Sequence, residues 1–284
     1  MNKDEEYRIE AKISEKMSIK KIIADLYNTA KSNKLEITTQ FIGTVLKDNE
    51  LRAMLNATNV IVVGYLKYND HGWYHSVITM RNALKILMTI KDKIRPNIAR
   101  HTHGTIDDAA FVTSIAAFLH DIGNMIHRDF HWINSVEISR PIIWRYINEL
   151  YSDESLEKKW LLFAHIANAI YSHDETIQAF TVEASAVKVG DGCDIAAGRS
   201  RRPYSIGKVD IHSVSALSIT EVDILPGERK PLMIKVNMTN PAGVFQIEEV
   251  LMPKLRTSLL NDKTEIVTLV EGKPLRLSKS PLMR

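Results

Sequence analysis

A histidine and an aspartate stand next to each other, His120-Asp121, directly after the apolar run 111–119. Such a run must be buried, and a buried ionised carboxylate is costly unless it is paired or bound to a metal. Nine of the ten histidines lie within residues 71–173, and neutral imidazole is the commonest metal ligand. The pair therefore indicates either a metal site or, more simply, a helix-terminal histidine beside an exposed aspartate.

Four other residues that could bind a metal are predicted to lie at or near the ends of helices. His75 and His131 each begin a helix, His173 ends one, and Asp191 lies late in another. Imidazole and carboxylate without a thiolate cluster suit Mn, Fe, Ni, Co, Zn or Mg better than a structural zinc site. Ligands this far apart in sequence meet only when a whole domain has folded, which is typical of a catalytic site.

The elements that would position these residues are helices. Apolar residues recur at helical spacing through residues 1–66, and further helices are predicted to begin near residues 73, 109, 131, 153 and 182. Asp107-Asp108 is the predicted cap of the helix 109–119. A helical bundle can bring the ends of such helices together in its core or at one rim, which is how bundles build metal sites.

The pattern changes after Pro203. Residues 209–225, 232–238 and 264–270 are predicted strands, and helical spacing returns from Val244 to Leu255. The order strand, strand, helix, strand indicates a small α+β unit. We therefore expect the α+β class, with a helical metal-binding domain over residues 1–204 and a regulatory or dimerising unit over residues 205–284.

Composition excludes several classes of protein. The chain has 284 residues, a net charge of +3 and one cysteine, Cys193. One cysteine excludes an internal disulfide framework and fits a reducing cytosol. The charged N-terminus does not match a signal peptide, and the longest apolar runs are too short to cross a bilayer. We therefore expect a cytoplasmic protein with no membrane partner. The net charge of +3 is too small to indicate nucleic acid binding.

Three short segments, in this order, resemble the HD superfamily of metal-dependent phosphohydrolases. They are Tyr74-His75-Ser76-Val77, Ala117-Phe-Leu-His-Asp-Ile-Gly123 and Val189-Gly-Asp191. The resemblance covers about residues 70–202. It implies an all-helical domain, a divalent metal or metal pair, and hydrolysis of phosphate esters. The Gly-Tyr-Pro motif of the cyclic-diguanylate phosphodiesterases is absent from the sequence.

The same resemblance implies a set of metal ligands. One ion would be held by His75, His120, Asp121 and Asp191, and Asp121 would bridge to a second ion. Many members of the superfamily bind that second ion through two later histidines, and His131 and His173 lie where those are expected. His127 is an alternative to His131, and a site with a single ion is an alternative to a pair.

Further residues are candidates for proton transfer and for phosphate binding. Asp174 or His127 could act as a proton shuttle for a metal-activated water, although an exposed loop residue is the simpler explanation of Asp174. Arginine forks suit phosphate oxygens, and the candidates near Asp191 are Lys188, Arg199, Arg201 and Arg202. A solvated loop is the alternative for the arginines. Asp194 is either a partner of a ligating histidine or, more simply, a helix cap or a member of a salt bridge.

The resemblance and the set of candidate metal ligands together favour an enzyme. We expect a metal-dependent phosphohydrolase, a phosphomonoesterase or phosphodiesterase, that cleaves a nucleotide or a related small phosphorylated molecule and assembles as a homo-oligomer. Two alternatives stay open. One is a ligand-binding sensor that keeps the metal site with little turnover, and the other is a single-stranded nucleic-acid phosphodiesterase.

Overall fold

The computed structural model describes residues 19–196 and 211–275. It has the predicted α+β class, with helices first and a small sheet after them. The helices of the first part are α1 (19–32), α2 (Glu36–Val45), α3 (Asn49–Asn59), α4 (Trp73–Ile90), α5 (Ile106–Leu119), α6 (His131–Leu150), α7 (Leu156–Tyr171) and α8 (Val182–Gly192). A π-helical turn, Val60–Tyr65, extends α3.

Polar side chains begin most of these helices. Thr105 and Asp108 form a reciprocal capping box at the start of α5. The helix thus begins before the predicted Asp107-Asp108 cap. Asp107 instead caps α2, because its carboxylate accepts hydrogen bonds from Ile37 N at 2.8 Å and from Thr38 N at 3.0 Å. The prediction is therefore confirmed for Asp108, which helps to cap α5, and wrong for Asp107, which caps α2 instead.

Helix α5 is the centre of the helical part. Residues 108–124 are all buried, and α5 packs against α2, α4, α7 and α8. An edge-to-face aromatic cluster of Phe41, Phe111 and Tyr146 joins α2, α5 and α6. A helix surrounded on all sides needs apolar residues around its whole circumference. This is why the run 111–119 shows no polar stripe.

The C-terminal unit contains α9 (Ile211–Leu217), β1 (Ile219–Pro226), β2 (Leu232–Met238), a helical segment, β3 (Thr264–Val270) and β4 (Lys273–Pro274). The described residues form one four-stranded sheet in the order β1-β2-β3-β4. Strands β2 and β3 are parallel, and the other pairs are antiparallel. A parallel pair needs a crossover, and the helical segment between β2 and β3 supplies it.

The prediction of a strand over residues 209–225 is wrong for residues 211–217, which form α9, and its first two residues lie outside the described residues. Tertiary packing decides this, because Ser215 and Ala216 are buried and Gln246 Nε2 donates a hydrogen bond to Ser215 Oγ at 2.9 Å. Strand propensity is easily overridden by such contacts. The predicted boundary between residues 204 and 205 lies outside the described residues.

The crossover segment begins with a short turn of α-helix, Val244–Gln246, continues as a π-helix, Ile247–Leu251, and ends as α-helix Met252–Arg256. We call this whole segment, residues 244–256, the crossover helix. It packs on α8, and β1 packs on α4. The sheet and the helices therefore share one core. No helix among residues 19–196 and 211–275 is long and apolar enough to cross a membrane.

Candidate metal centre

The ends of five helices meet at one point, as the sequence pattern predicts. His75 lies in the first turn of α4, His120-Asp121 follows α5, His131 is the first residue of α6, His173 follows α7, and Asp191 lies in the last turn of α8. All six side chains are buried. The bundle thus brings every one of the predicted ligands to one place, although their role as ligands stays a prediction.

Asp121 lies at the centre of this cluster. Its Oδ2 is 3.3 Å from His75 Nε2 and 3.3 Å from His120 Nε2. Its Oδ1 is 3.3 Å from His131 Nε2 and 3.5 Å from His173 Nε2. Each carboxylate oxygen therefore faces a different pair of imidazoles, an arrangement that suits a carboxylate bridging two cations.

The four histidines share one hydrogen-bonding pattern. In each ring Nδ1 faces an oxygen that can only accept, so Nδ1 carries the proton and Nε2 presents a lone pair to the centre. These oxygens are Asp194 Oδ2 for His75 (2.7 Å), Ala117 O for His120 (2.8 Å), Arg128 O for His131 (3.0 Å) and Ile170 O for His173 (2.6 Å).

These lone pairs point at each other across short distances. His75 Nε2 and His120 Nε2 are 3.1 Å apart, and His131 Nε2 and His173 Nε2 are 3.0 Å apart. Two lone pairs this close repel unless a positive charge lies beside them. Outer hydrogen bonds that fix the imidazole tautomer are the usual support of metal-binding histidines. The donor set therefore fits a cation beside Asp121.

The buried histidines and aspartates can hold a metal ion. Three groups have ligand atoms that all lie within 4.8 Å of one another. They are His75, His120 and Asp121; His120, His173 and Asp191; and Asp121, His131 and His173. Asp191 joins the first pair of histidines, because its Oδ1 is 3.3 Å from His75 Nε2 and 3.7 Å from His120 Nε2.

The electrostatics of the cluster favour positive charge at its centre. Burial by itself would raise the pKa of Asp121, but His120, His71 and His131 outweigh burial and hold that pKa well below its usual value. Burial lowers the pKa of His120, yet Asp121 and Asp191 more than compensate and raise it. Burial lowers the pKa of His173 to about 3. At physiological pH the His173 imidazole is therefore neutral, and its Nε2 lone pair can bind a cation.

A lysine that the sequence pattern did not single out enters this cluster. Lys254 Nζ donates hydrogen bonds to Asp191 Oδ2 at 2.6 Å and to His173 O at 3.2 Å. Burial lowers the pKa of Lys254, but Asp191 and Glu175 outweigh burial and raise it, so the side chain is charged. Lys254 lies in the crossover helix, and no local motif in that segment distinguishes it.

Two further residues that contact the cluster, Asn124 and Arg128, were not predicted from the sequence. Asn124 Nδ2 donates to Asp121 Oδ1 at 2.9 Å, and Arg128 Nη1 donates to Asn124 Oδ1 at 3.2 Å. Arg128 Nη1 is also 3.4 Å from His131 Nε2. Asn124 follows Asp121 by three residues in a 3₁₀ turn, Ile122–Met125. This spacing was the available signal for Asn124.

A cavity of about 250 Å³ opens beside the cluster. Its wall combines predicted metal ligands with basic, acidic and amide side chains. The residues that line it are Tyr68, Asn69, His71, Asp121, Arg128, His131, His173, Glu175, Asp191, Gln246, Glu249, Val250 and Lys254. The Arg128 guanidinium lies 5.8 Å from the centre of the Tyr68 ring at this wall. The cluster therefore has room beside it for a small ligand.

His127 is not part of the cluster, which corrects its candidacy as a ligand or proton shuttle. Its side chain is 63% exposed, and its Nδ1 accepts a hydrogen bond from Asp129 N at 2.9 Å. Residues 127–130 are not helical, and Phe130, just before α6, has a left-handed backbone with φ of 59°. His127 therefore does not lie one helical turn before His131, and the alternative in which it replaces His131 is wrong.

Lys188 is not a phosphate ligand in this structure, in contrast to its predicted role. Its ammonium donates to Ile177 O, to Thr257 O at 3.2 Å and to Thr257 Oγ1 at 2.8 Å, which uses all three N–H bonds. Burial lowers its pKa to about 8. Lys188 thus joins α8 to the end of the crossover helix.

Asp174 and Asp194 differ from the alternatives that the sequence favoured. Asp174 is buried rather than exposed, and its Oδ1 accepts from Thr176 N at 3.0 Å. It stabilises a turn and does not line the cavity described above, which argues against the predicted proton shuttle. Asp194 holds His75 Nδ1 instead of capping a helix. Arg199, Arg201 and Arg202 lie outside the described residues.

Comparison with known proteins places the chain in a family. No family model matches it, and no solved structure matches it significantly. Over 228 residues it is 38% identical to the "Uncharacterized protein MJ1020" of Methanocaldococcus jannaschii. The alignment covers 80% of this chain and 87% of that protein. The aligned region therefore includes most of both chains.

Proposed function

We propose that this chain, which belongs to the same family as the Methanocaldococcus jannaschii protein, is a metal-dependent phosphohydrolase. One observation carries the proposal. Asp121 faces two pairs of buried, tautomer-fixed imidazoles through its two oxygens, beside a cavity. The resemblance of the three short segments to the HD superfamily supports the same reaction class.

The ligand set favours borderline transition metals. Four imidazoles and two carboxylates suit Mn, Fe, Co, Ni or Zn, whereas Mg²⁺ and Ca²⁺ prefer sites made of oxygen ligands. We propose two ions, one held by His75, His120, Asp121 and Asp191 and the other by Asp121, His131 and His173. Divalent ions, when bound, polarise a phosphoryl oxygen and lower the pKa of a water.

The protein's own residues prepare the cavity for an anionic group. Lys254 and Arg128 are the cationic side chains among the residues that line it. Charged donors of this kind form the strong hydrogen bonds to phosphate oxygens. They replace Lys188 in the predicted phosphate-binding role. Burial of the cluster keeps bulk water away from the reacting group, which strengthens these interactions.

The size of the cavity limits the substrate. At about 250 Å³ it is smaller than a typical ligand pocket, whose volume is roughly 300–1,000 Å³. A phosphate with an attached sugar fits such a volume, and the rest of the substrate would extend past Tyr68 to the surface. We therefore propose a nucleotide or a related small phosphorylated molecule as the substrate.

The proposed function is tested by loading the protein with Mn²⁺ or Ni²⁺ and measuring phosphate release. We expect metal-dependent hydrolysis within a panel of generic phosphomonoesters, phosphodiesters and nucleotides, and loss of activity with a chelator. Bound metal without hydrolysis of any ester would contradict the enzyme and support the sensor. Hydrolysis limited to single-stranded oligonucleotides, with strong salt dependence, would support the nucleic-acid alternative.

Exchanging His131 for glutamine is expected to halve the bound metal. The variant loses one imidazole of the group Asp121, His131 and His173, but the group around His75 and His120 stays complete. We expect about two ions per chain in the wild type and about one in His131→Gln, measured by elemental analysis after gel filtration.

His127→Gln is the matched control for this change. His127 is exposed, so this variant should keep the metal content and the activity of the wild type. Loss of metal in His127→Gln, with full metal content in His131→Gln, would contradict the assignment of His131.

A further inference from the structure

One face of the crossover helix forms a wall of the cavity. Gln246, Glu249, Val250 and Lys254 all line it, and their spacing of three, four and eight residues places them on one side of a helix. The π-helical turn Ile247–Leu251 lies within this face. Single π-turns inside α-helices occur frequently at functional sites. The C-terminal unit therefore contributes directly to the candidate site.

The hydrogen bonds of Lys254 leave one donor for a ligand. An ammonium has three N–H bonds, and two of them are directed at Asp191 Oδ2 and His173 O. The next acidic atom, Glu175 Oε2, lies 3.8 Å from Nζ, which is longer than a hydrogen bond. Since Lys254 lines the cavity, its third N–H can be donated to an oxygen bound there.

The charge balance of the metal-loaded site would also favour an anion beside Lys254. A buried ammonium is costly unless it is paired, and Asp191 supplies one negative charge. Two divalent ions in the cluster, together with Lys254 and Arg128, would outweigh the four carboxylates that line the cavity, which are Asp121, Glu175, Asp191 and Glu249. Adding a lysine to such a centre is unfavourable unless a further anion binds beside it.

We propose that the C-terminal unit is part of the active site and that Lys254 is a phosphate-binding residue. Lys254 holds Asp191 Oδ2, so that Asp191 Oδ1 faces His75 and His120, and it donates its remaining N–H to a phosphoryl oxygen of the substrate. This inference rests on the proposed phosphohydrolase function. It assigns the crossover helix to substrate binding, in place of a purely regulatory or dimerising role.

The test measures binding of inorganic phosphate to the full-length, Mn²⁺-loaded protein by calorimetry. The wild type is compared with Lys254→Gln, Lys254→Arg and the control Lys263→Gln, which removes a charge from a lysine paired at the surface with Asp262. We expect Lys254→Gln to weaken phosphate binding by about tenfold to a hundredfold, the effect of one hydrogen bond to a charged group. Lys254→Arg should recover part of the affinity, and Lys263→Gln should match the wild type.

Two further measurements separate phosphate binding from a structural role. Manganese content should stay near that of the wild type in Lys254→Gln, because all six proposed ligands are intact. If ester hydrolysis is found, the KM should rise in Lys254→Gln in parallel with the dissociation constant of phosphate. Should Lys254→Gln fail to fold, as judged by thermal unfolding, Lys254→Arg alone decides, and it must still bind phosphate more weakly than the wild type.

Each outcome bears on the inference separately from the proposed function. Phosphate binding that is unchanged in Lys254→Gln, or absent from the wild-type manganese form, overturns the role of Lys254. Loss of manganese together with phosphate in a folded Lys254→Gln reduces Lys254 to a support for Asp191. Wild-type protein that binds manganese and phosphate but hydrolyses no ester contradicts the phosphohydrolase and leaves Lys254 as a phosphate ligand.

Discussion

Replacement of Asp121 by alanine is expected to remove both bound ions and to lower the rate of ester hydrolysis by about a thousandfold or more. Asp121 faces all four imidazoles of the cluster, two through each oxygen. Alanine leaves His131 and His173 without the carboxylate between them, and leaves His75 and His120 with Asp191 as their remaining carboxylate neighbour. Because Asp121 is proposed to hold both ions, neither ion would keep its full set of ligands. In the metal-free protein the change also removes the carboxylate that raises the pKa of His120.

Three measurements check this prediction. Elemental analysis gives the metal content, and initial rates on the best substrate of the screen give the activity. Thermal unfolding with and without Mn²⁺ gives a third readout, because an ion at about a hundred times its dissociation constant stabilises a folded protein by about 2.7 kcal/mol. We expect this stabilisation in the wild type and none in Asp121→Ala.

Asp153→Ala is the control for Asp121→Ala. Asp153 is exposed at the end of α6, and its carboxylate accepts a hydrogen bond from neighbouring Ser152. This variant should keep the metal, the activity and the stabilisation by Mn²⁺. An Asp121→Ala protein that is fully loaded with metal and active would refute the metal centre and, with it, the proposed function.

The second large effect is expected from Gly123→Ala, which should destabilise the protein by about 1–3 kcal/mol or more. A Cβ atom at this position would lie 2.2 Å from His131 O and 2.4 Å from Ser135 N. Both are backbone atoms of α6, so rotation of a side chain cannot relieve the overlap. Gly123 N also donates to Ser135 Oγ at 2.8 Å, which fixes this close approach.

Gly123→Ala should also disturb the metal centre. Moving the start of α6 away from residue 123 moves His131, which is its first residue. We therefore expect a lower urea midpoint, together with a reduced content of the second ion.

Gly43→Ala is the matched control and should have the opposite sign. Gly43 lies within α2, and its Cβ would have Tyr27 Oη at 3.5 Å as its nearest neighbour. Alanine is favoured over glycine within a helix by up to about 1 kcal/mol, so this variant should be as stable as the wild type or more so. A Gly123→Ala protein that unfolds at the same urea concentration as the wild type would show that α6 can shift freely.

Local pattern predicts the residue types of the site well. Helical spacing places His75, His120, His131, His173 and Asp191 at or near helix ends, and the structure has helices that begin or end close to each of them. The α+β class also follows from the sequence. Spacing of this kind depends on interactions within a single element, so a linear pattern records it.

Tertiary contacts decide which side chains reach the cluster. Lys188 and Lys254 are both lysines in helices, yet Lys188 is directed at Ile177 and Thr257, and Lys254 at Asp191. The difference depends on how the crossover helix packs against α8. That packing brings residues 63 positions apart into contact, and no local spacing encodes such a separation.

The His120-Asp121 pair shows which properties of the site the sequence determines and which depend on the tertiary structure. The sequence by itself determines that an imidazole and a carboxylate follow a buried helix, because burial and adjacency are local properties. Only the tertiary structure decides that each oxygen of Asp121 faces one pair of imidazoles and that His131, rather than His127, completes the second pair. It does so because the direction of a side chain depends on the turn that precedes it and on the helices packed around it.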